Sequence, residues 1–339
     1  MSKKVIFEKK NILVAGGAGF IGSHLCDELI GGAKVICIDN FSSGSERNID
    51  HLLSNPDFVF INHDINLPID LASLPELQKF KVQFQGIQEI YNLSCPTSPK
   101  HFDENRLASL AVNSIGVKNL LDLAVYYEAK FLQFSSSVIY GLRNENDPSL
   151  QVVEEYIGAV DPISPRSSYD EGKRFSESLV QNYHDVYNVD AKIIRVFRTY
   201  GPRMPLGDDQ MIPDFINCAL DGQDLVIYGK ETFASSFCYV SDVVDAAIKV
   251  MKGGNFGPYN IGSDVDSSFK SIAEIIIKET ASKSIIRFEE GKLFMSELLL
   301  PNIKKIRNEM SWMPVVTLEN GLKKTIFDLQ AQKQLQRFH

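Results

Sequence analysis

At 339 residues, 44% hydrophobic and 23% charged, the chain can bury one large α/β core, or a domain with a smaller lobe, and does not have the composition of a disordered polymer. A formal net charge of −8 excludes a nucleic-acid or anionic-membrane partner spread over the whole surface, so an anionic small ligand needs a local cluster of Arg or Lys. Five scattered cysteines (Cys26, Cys37, Cys95, Cys218, Cys238), odd in number and without Cys-x-x-Cys spacing, argue against a disulfide framework and against a metal site, and point to a reducing, cytoplasmic setting.

The opening stretch MSKKVIFEKKN has no apolar core of signal-peptide length, and no window approaches roughly 18 consecutive apolar residues, so neither a leader nor a membrane span is expected. Residues 11–15 form a short apolar run ending in glycines, 20–30 repeat apolar residues at helical spacing, and 34–39 form a second apolar run; this predicts a β-α-β unit. Further buried strands are predicted at 58–62, 89–93, 130–135 and 191–197, with helices over 107–128 and 169–187 between them. Strands alternating with helices predict an α/β fold with a Rossmann-type, doubly wound parallel sheet, whose ligands sit beyond the carboxyl ends of the strands. After about residue 200 the pattern loosens around Pro202, Pro205, Gly207 and Pro213. The expected division is a dinucleotide-binding domain over 1–200 and a smaller α/β substrate-binding lobe over 201–339, with a strand at 257–261 returning to the main sheet.

Gly16, Gly19 and Gly22 stand between the first strand and the first helix, with Phe20 and Ile21 opening that helix. Such a turn brings backbone close to a pyrophosphate and points a helix N-terminus at it. Asp39 closes the second strand about twenty residues on, where a carboxylate accepts both hydroxyls of an adenosine ribose and repels a 2′-phosphate, favouring NAD over NADP. Asp64 and Ile65, after the third strand, are placed either to contact the adenine edge or to form a turn.

Tyr169 and Lys173, four apart on a helix, share one face. A phenol of reference pKa near ~10 is a poor base at neutral pH, and a neighbouring ammonium together with an oxidised nicotinamide favours its ionised form. The pair is expected to take a hydroxyl proton while hydride leaves the same carbon.

The chain resembles the extended short-chain dehydrogenase/reductases that act on nucleotide sugars. The resemblance runs through GGAGFIGSHL, Asp39-Asn40-Phe41, NLSCPTSP at 92–99, SSSVIYG at 135–141, PRSSYDEGKR at 165–174, RTYGPRM at 198–204, YVSD at 239–242 and the closing PNIKKI and WMPVVTLENGL. Within that superfamily the pattern looks most like UDP-glucuronate decarboxylase. The resemblance implies a catalytic trio of Ser136, Tyr169 and Lys173, with Lys173 on the nicotinamide ribose, and adds Asn40 and Leu93 to the cofactor site. It places Ser94, Ser137, Val138, Arg198, Thr199, Arg203, Val226, Tyr228 and Ser235 on the nucleotide-sugar side. It also implies a homodimer, built as a four-helix bundle from the helices at 107–128 and 169–187. The broad apolar content of LASLAVNSIGVKNLLDLAVYY agrees with a second covered face.

Five positions depart from the family pattern. Where the decarboxylases and 4,6-dehydratases carry a Glu that handles protons beside C5 and C6, this chain has Val138; the dehydratases' additional Asp falls at Ser137. The decarboxylase Arg near the sugar carboxylate falls at Ser235. The family's Asn before the Thr-Tyr-Gly motif is Arg198, and a C-terminal Arg is Leu299, so Arg198 is expected to take over a diphosphate contact. The resulting expectation is reversible hydride transfer at sugar C4 on a UDP- or dTDP-linked sugar, of 4-ketoreductase, 4-epimerase or 4-dehydrogenase type. The alternatives are a UDP-glucuronate decarboxylase and a non-catalytic NAD-binding protein.

Overall fold

An apolar run closed by glycines is stable as an inner strand, hydrogen-bonded on both edges and covered on both faces. In the computed structural model, which describes residues 9–142, 150–290 and 298–336, β1 (Lys10–Ala15) has this position between β2 (Ala33–Asp39) and β4 (Glu89–Asn92). Most of the N-terminal stretch read above lies outside the described residues. β3 (Phe58–Asn62) flanks β2, β5 (Lys130–Ser136) flanks β4, and β6 (Ala191–Val196) flanks β5. The seven-stranded sheet closes with β8 (Tyr259–Ile261), which pairs in parallel with β6 through Tyr259↔Ile194 and Asn260↔Arg195, so the strand order is β8-β6-β5-β4-β1-β2-β3. The strand expected at 257–261 therefore does return to the main sheet. Between β6 and β8 lies β7 (Leu225–Tyr228), which pairs with Ile286–Glu289 outside that sheet.

Side chains alternate between the two faces. Leu13, Ile36, Ile90, Phe131 and Ile193 build one core, while Val14, Cys37, Tyr91, Leu132 and Ile194 build the other. The first core packs under α3 (Val117–Tyr127) and α4 (Ser167–Tyr187), the second under α1 (Phe20–Ile30) and α6 (Val240–Gly253). The helix predicted as continuous over 107–128 is divided: α2 (Arg106–Ala111) passes into α3 through a π turn at Val112–Gly116. The wide turn sets Asn113 inward, where Nδ2 donates to the Ser109 carbonyl at 2.8 Å and to Cys95 Sγ at 3.2 Å. α4 packs tightly here, for a Cβ on Gly172 would lie 3.2 Å from that same amide nitrogen. Hydrophobic periodicity does not register such a turn, because both flanking segments keep their apolar stripe.

After residue 200 come α5 (Met211–Leu220), α7 (Phe269–Glu279) and α8 (Leu318–Gln336), packed on one another. Trp312 is 1% exposed, and its Nε1 donates to the Asp242 carbonyl at 3.0 Å. It joins the C-terminal segment to α6. Trp312→Ala should lower the unfolding free energy by about 3–5 kcal/mol, from lost burial and the cavity left behind, as read from the denaturant midpoint by far-ultraviolet circular dichroism.

Candidate active site

The strand order reverses between β1 and β4, and a cleft of about 950 Å³ opens at the carboxyl ends of the strands there. At one end it is floored by the glycine turn. Gly16 has φ +77°, and a Cβ there would come within 2.8 Å of the Ser94 backbone nitrogen. A Cβ on Gly22 would come within 2.1 Å of the Gly16 carbonyl, so α1 can begin this close to the turn only without side chains. No side chain caps α1 at Gly19, and Gly19, Phe20, Ile21 and Gly22 all line the cleft, leaving first-turn N–H groups available to an anion.

Asp39 lies at the end of β2 and is 8% exposed. Its Oδ2 accepts from the Ala18 N–H at 3.0 Å and its Oδ1 from the Phe41 N–H at 2.8 Å. Burial pushes this carboxyl above the ordinary carboxylate range, and the backbone bonds oppose that shift. Both oxygens keep acceptor capacity for a ribose diol. Asn40, Ile65 and Leu93 line the same part of the cleft, and Asp64 forms the expected turn, accepting from the Asn66 N–H at 2.9 Å, while also lining the wall. These residues fit an adenine dinucleotide.

At the other end, Ser136 closes β5 and Tyr169 and Lys173 project from the first two turns of α4; all three line the cleft. The Tyr169 phenol is hydrogen-bonded to Ser136. Burial, then the nearby Cys95 sulfur, push this phenol well above its ordinary value, and the Ser136 bond opposes them. Lys173 lies beside this ring on the same helix. It is 4% exposed, its Nζ donates to the Phe134 carbonyl at 3.0 Å, and it lies 5.9 Å from the Tyr169 ring centroid, so the ammonium is anchored at a strand end beside the ring. Spacing fixed the shared face; the Phe134 carbonyl decides where the charge points.

Ser94, Ser137, Val138, Arg198, Thr199 and Arg203 also line the cleft. Burial and the neighbouring Arg166 push the Arg198 guanidinium down to about 10, and it lies 5.8 Å from the Phe269 ring centroid. Arg203, in a left-handed conformation at φ +67°, holds α1 and α8 together: Nη2 donates to Asp27 at 2.7 Å and its backbone N–H to Asp328 at 2.8 Å. Val226, Tyr228 and Ser235 lie away from the cleft wall. Val226 and Tyr228 are on β7 in its own two-stranded sheet, and Ser235, 1% exposed, is paired with Ser267. Leu299 is likewise buried, while its neighbour Leu298 reaches the wall.

Cys95 and Asn113 were not assigned roles from the sequence. Cys95 sits within NLSCPTSP, so its motif is visible in the sequence and its electrostatic effect on the phenol is not. Asn113 is fully buried, and its Oδ1 has no hydrogen-bond partner among the described residues. Only the π turn brings it to this side of the helix.

Hydride chemistry on a dinucleotide is what a cleft of this shape and lining suits, which puts the chain in the class of Rossmann-type oxidoreductases. The chain belongs to the NAD dependent epimerase/dehydratase family, whose model matches residues 12–262, from β1 to just past β8. It is 36% identical over 324 residues to UDP-glucuronic acid decarboxylase 1 of Arabidopsis thaliana, covering 95% of this chain and 70% of that protein. UDP-glucuronic acid decarboxylase 6 of the same plant is 37% identical over 325 residues, covering 95% and 89%. Among solved structures, the epimerase Mth375 of Methanothermobacter thermautotrophicus superposes with a TM-score of 0.83 at 25% identity, covering 98% of this chain and 95% of that one. UDP-glucose 4-epimerase of Thermotoga maritima, solved with UDP-glucose, gives 0.80 at 26% identity, covering 95% and 99%.

Because Asp39 is held above the usual range, its charge, and with it the ribose contact, should be kept above that raised pKa and lost as pH falls through it, at a higher pH than for an exposed Asp of pKa ~3.9. Calorimetric titration of NAD across pH should show this acid limb. Asp39→Asn should weaken NAD about tenfold or more at neutral pH and remove the limb.

Proposed function

We propose that this chain is an NAD-dependent oxidoreductase of nucleotide sugars that moves one hydride and one proton reversibly at sugar C4. Residues 1–200 mainly supply the cofactor side in this reading, and 201–339 mainly the nucleotide-sugar side. Tyr169 takes the C4 hydroxyl proton, and Ser136 bridges the sugar oxygen and the phenol, polarising the carbonyl as it forms. Lys173 holds the nicotinamide ribose and keeps a positive charge on the same helix as the phenol. Oxidised NAD, when bound, supplies the hydride acceptor and a second positive charge beside the phenol. Burial keeps Tyr169 neutral until positive charge arrives, so the base is made where it is used.

The observation that carries this reading is Val138. It lies on the cleft wall two residues from Ser136, 6% exposed, where a proton-handling group would assist chemistry at C5 or C6 and an isopropyl provides none. Among the described residues the acids of the cleft are Asp39, Asp50, Asp64, Asp208 and Asp328, and none belongs to the turn after Ser136 or to α4. Ser235, in place of the carboxylate-binding Arg, is buried away from the wall. Hydride transfer at C4 is common to a 4-epimerase, a 4-ketoreductase and a 4-dehydrogenase. UDP-glucuronate decarboxylation is the second reading, favoured by the 36–38% identity to proteins of that name over more than nine-tenths of this chain. Once C4 is a ketone, a β-keto acid loses carbon dioxide with little further help.

Incubation with UDP-glucuronate, UDP-glucose and a 4-keto-6-deoxy nucleotide sugar, followed by absorbance of the reduced cofactor and product mass, separates the readings. The first predicts a C4 epimer, alcohol or ketone of unchanged carbon number; release of carbon dioxide from UDP-glucuronate supports the second. Tyr169→Phe should lower turnover by orders of magnitude while NAD still binds, whereas a non-catalytic NAD-binding protein would keep its function.

Arg198 supports a diphosphate contact, since a guanidinium pairs bidentately with phosphate and the chain is otherwise acidic. Arg198→Ala should weaken UDP-sugar binding about tenfold in calorimetry; unchanged affinity would remove it from the site. A homodimer through α2, α3 and α4 is supported by apolar residues left on that side, with Leu107 81%, Ile115 53% and Phe175 51% exposed. Light scattering should give twice the 38.0 kDa chain mass at micromolar concentration, and a monomer would argue against the bundle.

A further inference from the structure

Behind the cleft wall one buried side chain touches both elements that carry the reactive groups. Arg195 lies on β6, with its side chain 12% exposed. Its Nε and Nη2 donate to the two carboxylate oxygens of Glu177 at 3.0 and 2.8 Å, a bidentate fork onto α4 about two turns beyond Tyr169. Its Nη1 donates to the Tyr140 hydroxyl at 2.8 Å and to the Glu154 carbonyl at 2.6 Å, and the guanidinium lies over the Tyr140 ring, 4.9 Å from its centroid. The Tyr140 hydroxyl in turn donates to Asn260 Oδ1 at 2.7 Å, and the Asn260 backbone N–H donates to Glu154 Oε1 at 2.9 Å.

Tyr140 is the last residue of the single 3₁₀ turn, Ser137–Tyr140, that starts at Ser136. Within that turn the Ser136 hydroxyl has only a long bond, accepting from the Val138 N–H at 3.4 Å, which is too weak to fix its direction. The far end of the turn is held much more firmly, by two hydrogen bonds on a phenol 1% exposed. Such a buried and fully satisfied polar network is stiff, and it links β5, β6, β8 and α4.

We propose that Arg195, acting through Tyr140 and Glu177, is a positioning residue that sets the Ser136 hydroxyl against the Tyr169 phenol. It touches neither sugar nor cofactor; it fixes the turn that carries one reactive group to the helix that carries the other. The inference rests on Ser136 and Tyr169 being the reactive pair.

Replacing Arg195 would strand Glu177 in the interior and endanger the fold, so the test variant is Tyr140→Phe, which keeps the ring and deletes only the hydroxyl. With ring-labelled tyrosine and NAD bound, the Cζ resonance of Tyr169, assigned by its loss in Tyr169→Phe, reports the hydrogen bond to Ser136 without any turnover. Tyr140→Phe should move it toward its position in Ser136→Ala and move it no further when the two changes are combined. On any nucleotide sugar that is turned over, kcat should fall about tenfold with KM and NAD affinity within about twofold. An unmoved Tyr169 resonance, or shifts that simply add in the double variant, would overturn the proposal. If none of the nucleotide sugars is turned over, the resonance still decides it, which keeps this inference separable from the C4 reading.

Discussion

The reversal of strand order between β1 and β4 is the constraint on which the rest of the structure depends. On either side of that point the chain leaves the sheet toward opposite faces, with α1 covering one and α3 the other. No helix can then roof the carboxyl ends of β1 and β4, and a crevice remains. Most of what can act on a ligand is delivered to this opening by the end of a strand, the glycine turn by β1, Asp39 by β2, Ser94 and Cys95 by β4, Ser136 by β5 and Arg198 by β6, while Tyr169 and Lys173 come from the first turns of α4. Because the floor is a close-packed parallel sheet, these groups are positioned by backbone hydrogen bonds and not by mobile loops.

Burial does two opposed things in the cleft. It raises the Tyr169 phenol and the Asp39 carboxyl and lowers the Arg198 guanidinium, so each charge costs free energy while the protein is alone. The same low-dielectric setting strengthens every attraction once an opposite charge arrives. A site arranged in this way is poor at holding charges by itself and well suited to forming them around a charged ligand, such as a dinucleotide that carries a diphosphate and, when oxidised, a cationic ring.

Much of the fold was legible because buried parallel strands and amphipathic helices each have a period that repeats over several residues. The strand at 58–62 has the predicted bounds, and the strand at 257–261 joined the sheet as expected. The π turn at Val112–Gly116 was not legible, since one wide turn leaves the apolar stripe on either side intact. In the site, residues tied to a strand end or to a helix face, such as Asp39, Ser136, Tyr169 and Lys173, all came to the cleft. Val226, Tyr228 and Ser235 did not; they belong to short strands after residue 200, where the local pattern says nothing about which way a segment turns relative to the main sheet.

By itself the sequence determined the order of strands and helices, the glycine turn, the acid twenty residues beyond it, and which side chains at the Ser136–Tyr169 end of the cleft can or cannot carry a proton, because all of these are set by residue type at short separation. Tertiary structure alone decided that Lys173 addresses the Phe134 carbonyl, that Cys95 and Asn113 gather near Tyr169, and that Arg195 clasps Glu177 and Tyr140. The hydrogen bonds among these contacts join residues 18 to 55 positions apart on different elements. Their geometry follows from how helices pack on a twisted sheet, which no local periodicity encodes.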